Sequence, residues 1–279
     1  MAKYGMVIDS TVYLSEQIVK DNNIAVVSLN VVDGIESYKE VDVDNQFIFD
    51  KQDKGTQWTT SQPAPGEFLE TFERFVKEGV QKVFVLGLSR NISGTFQSAT
   101  LAKNMIEDPS KIHIFDTQLC AFGTEMIALE LIDMLNKNET EEAIIERISR
   151  LILTSGQMFT VQNLFSLTKG GRLSVTKATI LRIKPVVEVI EGKLELVKSE
   201  RTFKKIHNYF LKSIKDSLKN DAKPTFYVTS QNSLEHATII KDLLLSEFPN
   251  SKLTFTEYLG PVFSIHIGKK GYGISWFSE

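Results

Sequence analysis

Residues 83–99 read VFVLGLSRNISGTFQSA, and this stretch decides the fold. Val83–Gly87 is a short apolar run of the kind a fully buried strand needs. Leu88–Gly94 is small and polar, and a helical pattern opens at about Thr95. The loop therefore brings hydroxyls and backbone N–H groups to the carboxyl edge of a sheet.

The same alternation extends outward. Strands are predicted at Tyr4–Ile8, Ile24–Val31, Val83–Leu88 and His113–Phe115. Helices are predicted from a Ser10–Thr11 cap through about Lys20, then at Phe68–Gly79, Thr95–Glu107 and Gly123–Asn136. Strands alternating with helices predict a mainly parallel sheet. Beyond about residue 150 the order changes. Phe159–Leu167 precedes KGGR (Lys169–Arg172), and Val186–Ile190 with Leu194–Val197 reads as a hairpin turning at Glu191–Gly192. A helix at Arg201–Lys219, a strand at Thr225–Thr229, a helix at Leu234–Glu247, and strands at Leu253–Glu257 and Ile274–Phe277 complete an α+β half. The boundary is placed near residue 152, giving units 1–152 and 153–279.

The 279 residues carry a net charge of −3, so the chain has no overall basic footprint for nucleic acid. The N-terminus has no apolar signal region, and no apolar run is long enough to span a bilayer. One cysteine, Cys120, excludes an intramolecular disulfide and a multi-cysteine metal site. A cytoplasmic location is expected, with no metal and no cofactor.

Several chemistries fail on the motifs. A nucleophile elbow needs G-x-S-x-G, and Gly87–Asn91 lacks the second glycine. The four histidines, His113, His207, His236 and His266, stand in no triad context. A phosphate loop ending in Gly-Lys-Ser/Thr and a dinucleotide G-x-G-x-x-G are both absent. What remains for Ser93–Gly94–Thr95 is an anion seat of neutral donors, Gly94 letting backbone approach closely, or an ordinary helix cap. Thr59–Phe68 (TTSQPAPGEF) is a second hydroxyl loop, stiffened by Pro63 and Pro65, ahead of a helix. Leu167–Ser174 (LTKGGRLS) offers Arg172 as a fork for carboxylate or phosphate, or as a surface cation beside a turn. Lys198–His207 (KSERTFKKIH) and His266–Gly273 (HIGKKGYG) are further candidates, with a solvated helix face and a structural histidine as the plain alternatives.

Seven segments in order, VIDST, TSQPAPGEF, LSRNISGTFQSA, IFDTQ, LTKGGRLS, IKPVVEVIEGKL with KSERT, and HIGKKGYG, resemble the DegV family of fatty-acid-binding proteins. The resemblance spans about residues 3–278. It implies two α/β domains holding a long-chain fatty acid such as palmitate or oleate. It also implies a carrier, not an enzyme, that presents the acyl carboxylate to a separate ATP-dependent fatty acid kinase for phospholipid synthesis, with transient membrane-surface contact. Carried onto this chain, Ser93 and the Thr60/Ser61 loop would hold the carboxylate, Ser61 being favoured, with Gly94, Thr95 and His266 close by. Arg172 and Arg201 would face the phosphoryl group or the kinase. Phe96, Ile127 and Leu131, on helices flanking the loop, are candidates for the acyl tunnel. The competing reading is an acyl hydrolase acting through Ser93. Two departures stand out: GKKGYG where the family more often has G-P-G, and STVYLS where an acidic residue commonly follows.

Overall fold

The computed structural model describes residues 3–162, 164, 167–168, 171–173, 183–218 and 223–278. The strands of its first sheet are β1 (Tyr4–Asp9), β2 (Ile24–Val27), β6 (Lys82–Gly87) and β7 (Ile112–Asp116). They lie in the order β2-β1-β6-β7, all parallel. The sequence therefore runs outward from β1 in one direction, then returns to build β6 and β7 on the other side. That reversal opens a crevice at the carboxyl ends of β1 and β6, the usual ligand position in an open parallel sheet.

The apolar run at 83–86 is buried on both faces by simple alternation. Phe84 and Leu86 join the large core with α5 (Phe122–Asn136) and α6 (Glu141–Thr154). Val83 and Val85 join a second core with α3 (Pro65–Lys77) and α4 (Thr95–Lys103).

A small antiparallel sheet, β4-β3-β5, is formed by β3 (Asn30–Val32), β4 (Ser37–Lys39) and β5 (Thr59–Ser61). It packs with α2 (Asn45–Asp53) and α9 (Pro261–Ile267) around Trp58. The second half contributes β8 (Gly156–Val161), β9 (Lys184–Ile190), β10 (Lys193–Glu200), β11 (Thr225–Gln231), β12 (Lys252–Thr256) and β13 (Gly271–Phe277). Their order is β10-β9-β8-β13-β11-β12, with β11 and β12 parallel and the other pairs antiparallel. Helices α7 (Phe203–Ser217) and α8 (Leu234–Glu247) cover one face of this mixed sheet. The large core reaches the other face through Phe159, Val187 and Tyr227.

Four expectations are corrected. Ser10 and Thr11 cap no helix: the Ser10 hydroxyl donates to Glu40 and accepts from Leu29 N, while the Thr11 hydroxyl donates to Asp9. The helix α1 (Glu16–Asp21) starts later, capped by Ser15. The expected strand Ile24–Val31 splits into β2 and β3, because Leu29 N turns to the Ser10 hydroxyl and carries the chain into the small sheet. The helix from Thr95 stops at Lys103 instead of running to Glu107, and His266 sits on α9 where no helix was expected. The hairpin at Glu191–Gly192 and the helix Leu234–Glu247 form as expected. Lys219 lies outside the described residues, as do Lys169, Gly170 and Ser174.

Candidate functional site

Asp9 stitches the crevice together. Its carboxylate accepts Thr11 N at 2.9 Å from the β1 loop and Leu88 N at 2.8 Å from the β6 loop. The β6 loop is also tied to the second half. The Ser89 hydroxyl donates to Gly192 O at 2.8 Å, and Asn91 Nδ2 donates to Glu191 O at 2.9 Å. Ser89, the serine nearest an elbow motif, is fully buried in this structural bond. Gly192 has φ +75, and a side chain there would strike the Ser89 hydroxyl.

Within that frame the β5 loop docks on the β6 loop at Gly94. A Cβ on Gly94 would fall 1.8 Å from Gln62 Oε1, so the glycine admits the neighbouring loop. Gln62 Nε2 then reaches the Ser98 hydroxyl at 3.3 Å. Ser93 faces the space beyond. Its hydroxyl contacts Thr95 Oγ1 at 2.9 Å and accepts Thr95 N at 3.2 Å at the start of α4, while bordering the cavity. The N-cap position itself is Gly94, which carries no side-chain cap bond.

Thr60 is the more engaged residue of its pair. Its Oγ1 lies 2.9 Å from His266 Nε2 and accepts Arg172 Nη2 at 3.3 Å. Ser61 also borders the cavity but is exposed, accepting Asn30 Nδ2 at 3.4 Å. The two side chains differ in setting, Thr60 bonded to His266 and Arg172 and Ser61 exposed. The reason is the strand alternation of β5, which turns successive side chains to opposite sides.

Arg172 also donates to Ile92 O at 3.3 Å, so its guanidinium spans both hydroxyl loops. Burial lowers its pKa from the usual value, and among the described residues no carboxylate pairs with it. His266 is pushed down to about 3, first by burial and then by Arg172, and stays neutral near pH 7. Among the described residues the site thus presents one cation without a carboxylate partner, set among neutral hydroxyls.

These groups end a cavity of about 540 Å³ of empty space, counted out to its mouth. Its walls are mostly apolar, including Leu29, Leu88, Phe159, Leu194 and Phe263. Phe263 packs edge-on to Phe122 and Phe159, with ring centroids at 6.2 and 5.6 Å. Cys120 and Ala121 form part of the wall. Gln157 Oε1 accepts Cys120 N at 3.0 Å and Gln157 Nε2 donates to Cys120 O at 2.7 Å, which clamps the start of α5 to β8. Burial pushes the Cys120 thiol up to about 12, so it is an inert wall element.

The three acyl-tunnel candidates do not line this cavity. Ile127 and Leu131 are fully buried in the large core, and Phe96 lies under the Arg90 guanidinium at 4.2 Å. Thr95 is buried behind Ser93. Arg201 is exposed just beyond β10, seven residues past Leu194, or roughly 20 Å along the strand from the cavity wall. Sequence reading missed Asp9, Gln62, Leu194, Phe263 and the Cys120–Gln157 clamp. VIDST and IFDTQ were the signals closest to two of them. Among the described residues no group of three or more His, Cys, Asp or Glu could hold a metal ion, and no helix is long and apolar enough to cross a membrane.

The chain matches the model of the DegV family, described as an uncharacterised protein, over residues 3–279. It belongs to the DegV family. A DegV domain-containing protein of Listeria innocua is similar at 33% identity, covering 98% of each chain. The fold is similar to that of a DegV family protein from Thermus thermophilus described by its fatty acid binding, with a TM-score of 0.90, 28% identity, and coverage of 99% of this chain and 100% of that one. DegV of Bacillus subtilis, described as a fatty acid binding protein, aligns with a TM-score of 0.85 and 26% identity over 100% of both chains. The α/β architecture of this DegV protein, with its parallel sheet and its mixed sheet, is that of these neighbours, and the Ser93 and Thr60 loops meet at the crevice of the parallel sheet.

Proposed function

We propose that this chain binds a long-chain fatty acid, with the tail in the apolar cavity and the carboxylate at the Ser93–Thr60 end. The observation that carries this reading is Arg172: a guanidinium without a carboxylate partner among the described residues, held beside hydroxyls at the end of an apolar cavity. Such a cation is costly to desolvate unless an anion completes it. An amphiphile with one anionic head and a long apolar tail satisfies both ends at once. Each buried methylene contributes about 0.8 kcal/mol, so a long acyl chain gains on the order of 10 kcal/mol before ordering costs. The fatty-acid-binding DegV proteins of Thermus thermophilus and Bacillus subtilis support the same ligand class.

The chain then acts as a carrier. A separate ATP-dependent fatty acid kinase would phosphorylate the carboxylate, and the acyl phosphate would enter phospholipid synthesis in the cytoplasm. Ser61 at the mouth and the exposed Arg201 are assigned to the kinase-facing side. The division near residue 152 separates the unit bearing Ser93 and Thr60 from the unit bearing Arg172 and His266.

The hydrolase alternative has little geometric support. The Ser93 hydroxyl is engaged with Thr95, and His266 with Thr60. A histidine pushed down to about 3 is a weak base at neutral pH. Mass spectrometry of the denatured protein should reveal a stoichiometric fatty acid. A protein that emerges empty and takes up neither palmitate nor oleate would overturn the carrier reading, and covalent labelling of Ser93 by a fluorophosphonate would favour the hydrolase.

A further inference from the structure

Phe159 and Thr160 are neighbours on β8, and their side chains point to opposite faces of the mixed sheet. Phe159 lines the cavity described above; Thr160 lines a second one, with about 960 Å³ of empty space counted out to its mouth. This second cavity lies at the carboxyl end of β11, where Asn232 at φ 47 turns the chain into α8. Because β11 and β12 are parallel and joined by α8, the start of that helix faces the edge where crossover units place ligands. Ser233 makes no side-chain cap, and among the described residues nothing accepts from Leu234 N or Glu235 N. The 14-residue helix therefore leaves free donors and the positive end of its dipole at the cavity.

Among the described residues, other groups of the same cavity also lack hydrogen-bond partners. Tyr272 is 1% exposed and lines the cavity, and no described residue bonds its hydroxyl. His236 Nδ1 is likewise buried, with no hydrogen-bond partner among the described residues. Lys184 and Lys270 line the cavity, and among the described residues neither pairs with a carboxylate. Lys184 Nζ lies 3.8 Å from the Phe203 ring centroid, and that ring packs on His236 with centroids 3.5 Å apart. One carboxylate, the exposed Glu235, shares the rim. Burial lowers the pKa of His236, so two lysines face one glutamate and a neutral imidazole.

We propose that this cavity binds a phosphomonoester with a planar body, its phosphate at the start of α8 between Lys184 and Lys270 and accepting from the Tyr272 hydroxyl, its body against Phe203 and His236. A dianionic phosphate suits two lysines and a helix start better than a single carboxylate does. The planar rings that floor the cavity suit an aromatic or heterocyclic body. The site shares no lining residue with the acyl cavity.

Phenyl phosphate is the probe, titrated into the full-length isotope-labelled protein and followed by amide resonances, with benzoate as the carboxylate control. Saturable shifts of the Leu234 and Glu235 amides are expected with phenyl phosphate, and weaker ones with benzoate. Lys270→Ala should weaken binding about tenfold, the worth of one charged hydrogen bond. Tyr272→Phe should raise the melting temperature of the free protein, because it removes an unpaired buried hydroxyl, and should weaken phenyl phosphate binding. Absence of saturable shifts, equal binding of benzoate, or binding unchanged in both variants would overturn the proposal. These readouts are independent of whether the first cavity holds a lipid.

Discussion

Thr60 Oγ1 and His266 Nε2 meet at 2.9 Å across 206 residues of sequence. The contact joins the small sheet to α9, and Arg172 closes it from a third segment at 3.3 Å. A hydroxyl held this way is oriented before any ligand arrives, which lowers the ordering cost of binding.

Ser93→Ala should separate binding from folding. The variant loses a cap-like bond to Thr95 N, worth about 1 kcal/mol, and the hydroxyl proposed to meet the carboxylate. Displacement of a fluorescent fatty acid should show at least about tenfold weaker retention. Thermal unfolding should remain cooperative. Unchanged retention would remove Ser93 from the head-group site.

Arg172 and Arg201 should behave differently. Arg172→Ala removes the half-buried cation and should impair retention of the acyl chain together with its phosphorylation. Arg201→Ala, on an exposed residue, should leave retention intact and reduce turnover by the kinase. Paired retention and turnover assays decide this, and the reverse order would reject both assignments.

Glu125 makes the stability depend on pH with a definite sign. Burial raises its pKa from 4.5 to about 7, and among the described residues its carboxyl accepts a hydrogen bond from the Tyr227 hydroxyl alone. The folded state therefore holds a proton that the unfolded state releases above about 4.5. The favourable contribution is full below 4.5 and is lost as pH rises through 7. Glu125→Gln should gain on the wild type in melting temperature as pH rises from 5 to 8. Taking the difference between the two proteins cancels the opposite trend of His207, whose pKa is lowered to about 4 and whose contribution fades as pH falls. A gap that stays flat across this range would show that Glu125 ionises normally.

Gly273 and Gln157 test the wall behind the cavity. A Cβ on Gly273 would lie 2.4 Å from Phe122 Cζ and 2.8 Å from Phe159 Cβ, so Gly273→Ala overpacks by about 1–3 kcal/mol. Gln157→Leu strands Cys120 N, costing about 1–3 kcal/mol, while Cys120 O keeps its bond from Gly123 N. Denaturant titration should show both losses. Gly94→Ala meets only the end of the flexible Gln62 side chain and should cost far less.

Much of this was legible because some signals are local. The run at 83–86 declares a buried strand, and the glycine-serine loop after it declares a helix start. The hairpin at Glu191–Gly192 was equally plain, since its turn and both strands lie within a few residues. The failures came from long-range bonds. Nothing near Ser10 indicates that its hydroxyl belongs to Glu40 and Leu29, 30 and 19 residues away. Phe96 and Phe263 are both half-buried phenylalanines on helices. Only the packed structure turns Phe96 toward Arg90 and Phe263 toward the cavity. Which core a side chain joins is a tertiary property, so apolar periodicity alone could not choose the wall.

Thr60, Ser93, Arg172 and His266 come from four separate segments of the chain. No partly folded intermediate that lacks any one of them presents the complete set. A ligand that needs all four is therefore selective for the native state, and at a free concentration of 100 times its Kd it would add about 2.7 kcal/mol of stability. A fatty acid bound as proposed would double as a folding clamp, and an unloaded chain should be the one that proteases find first.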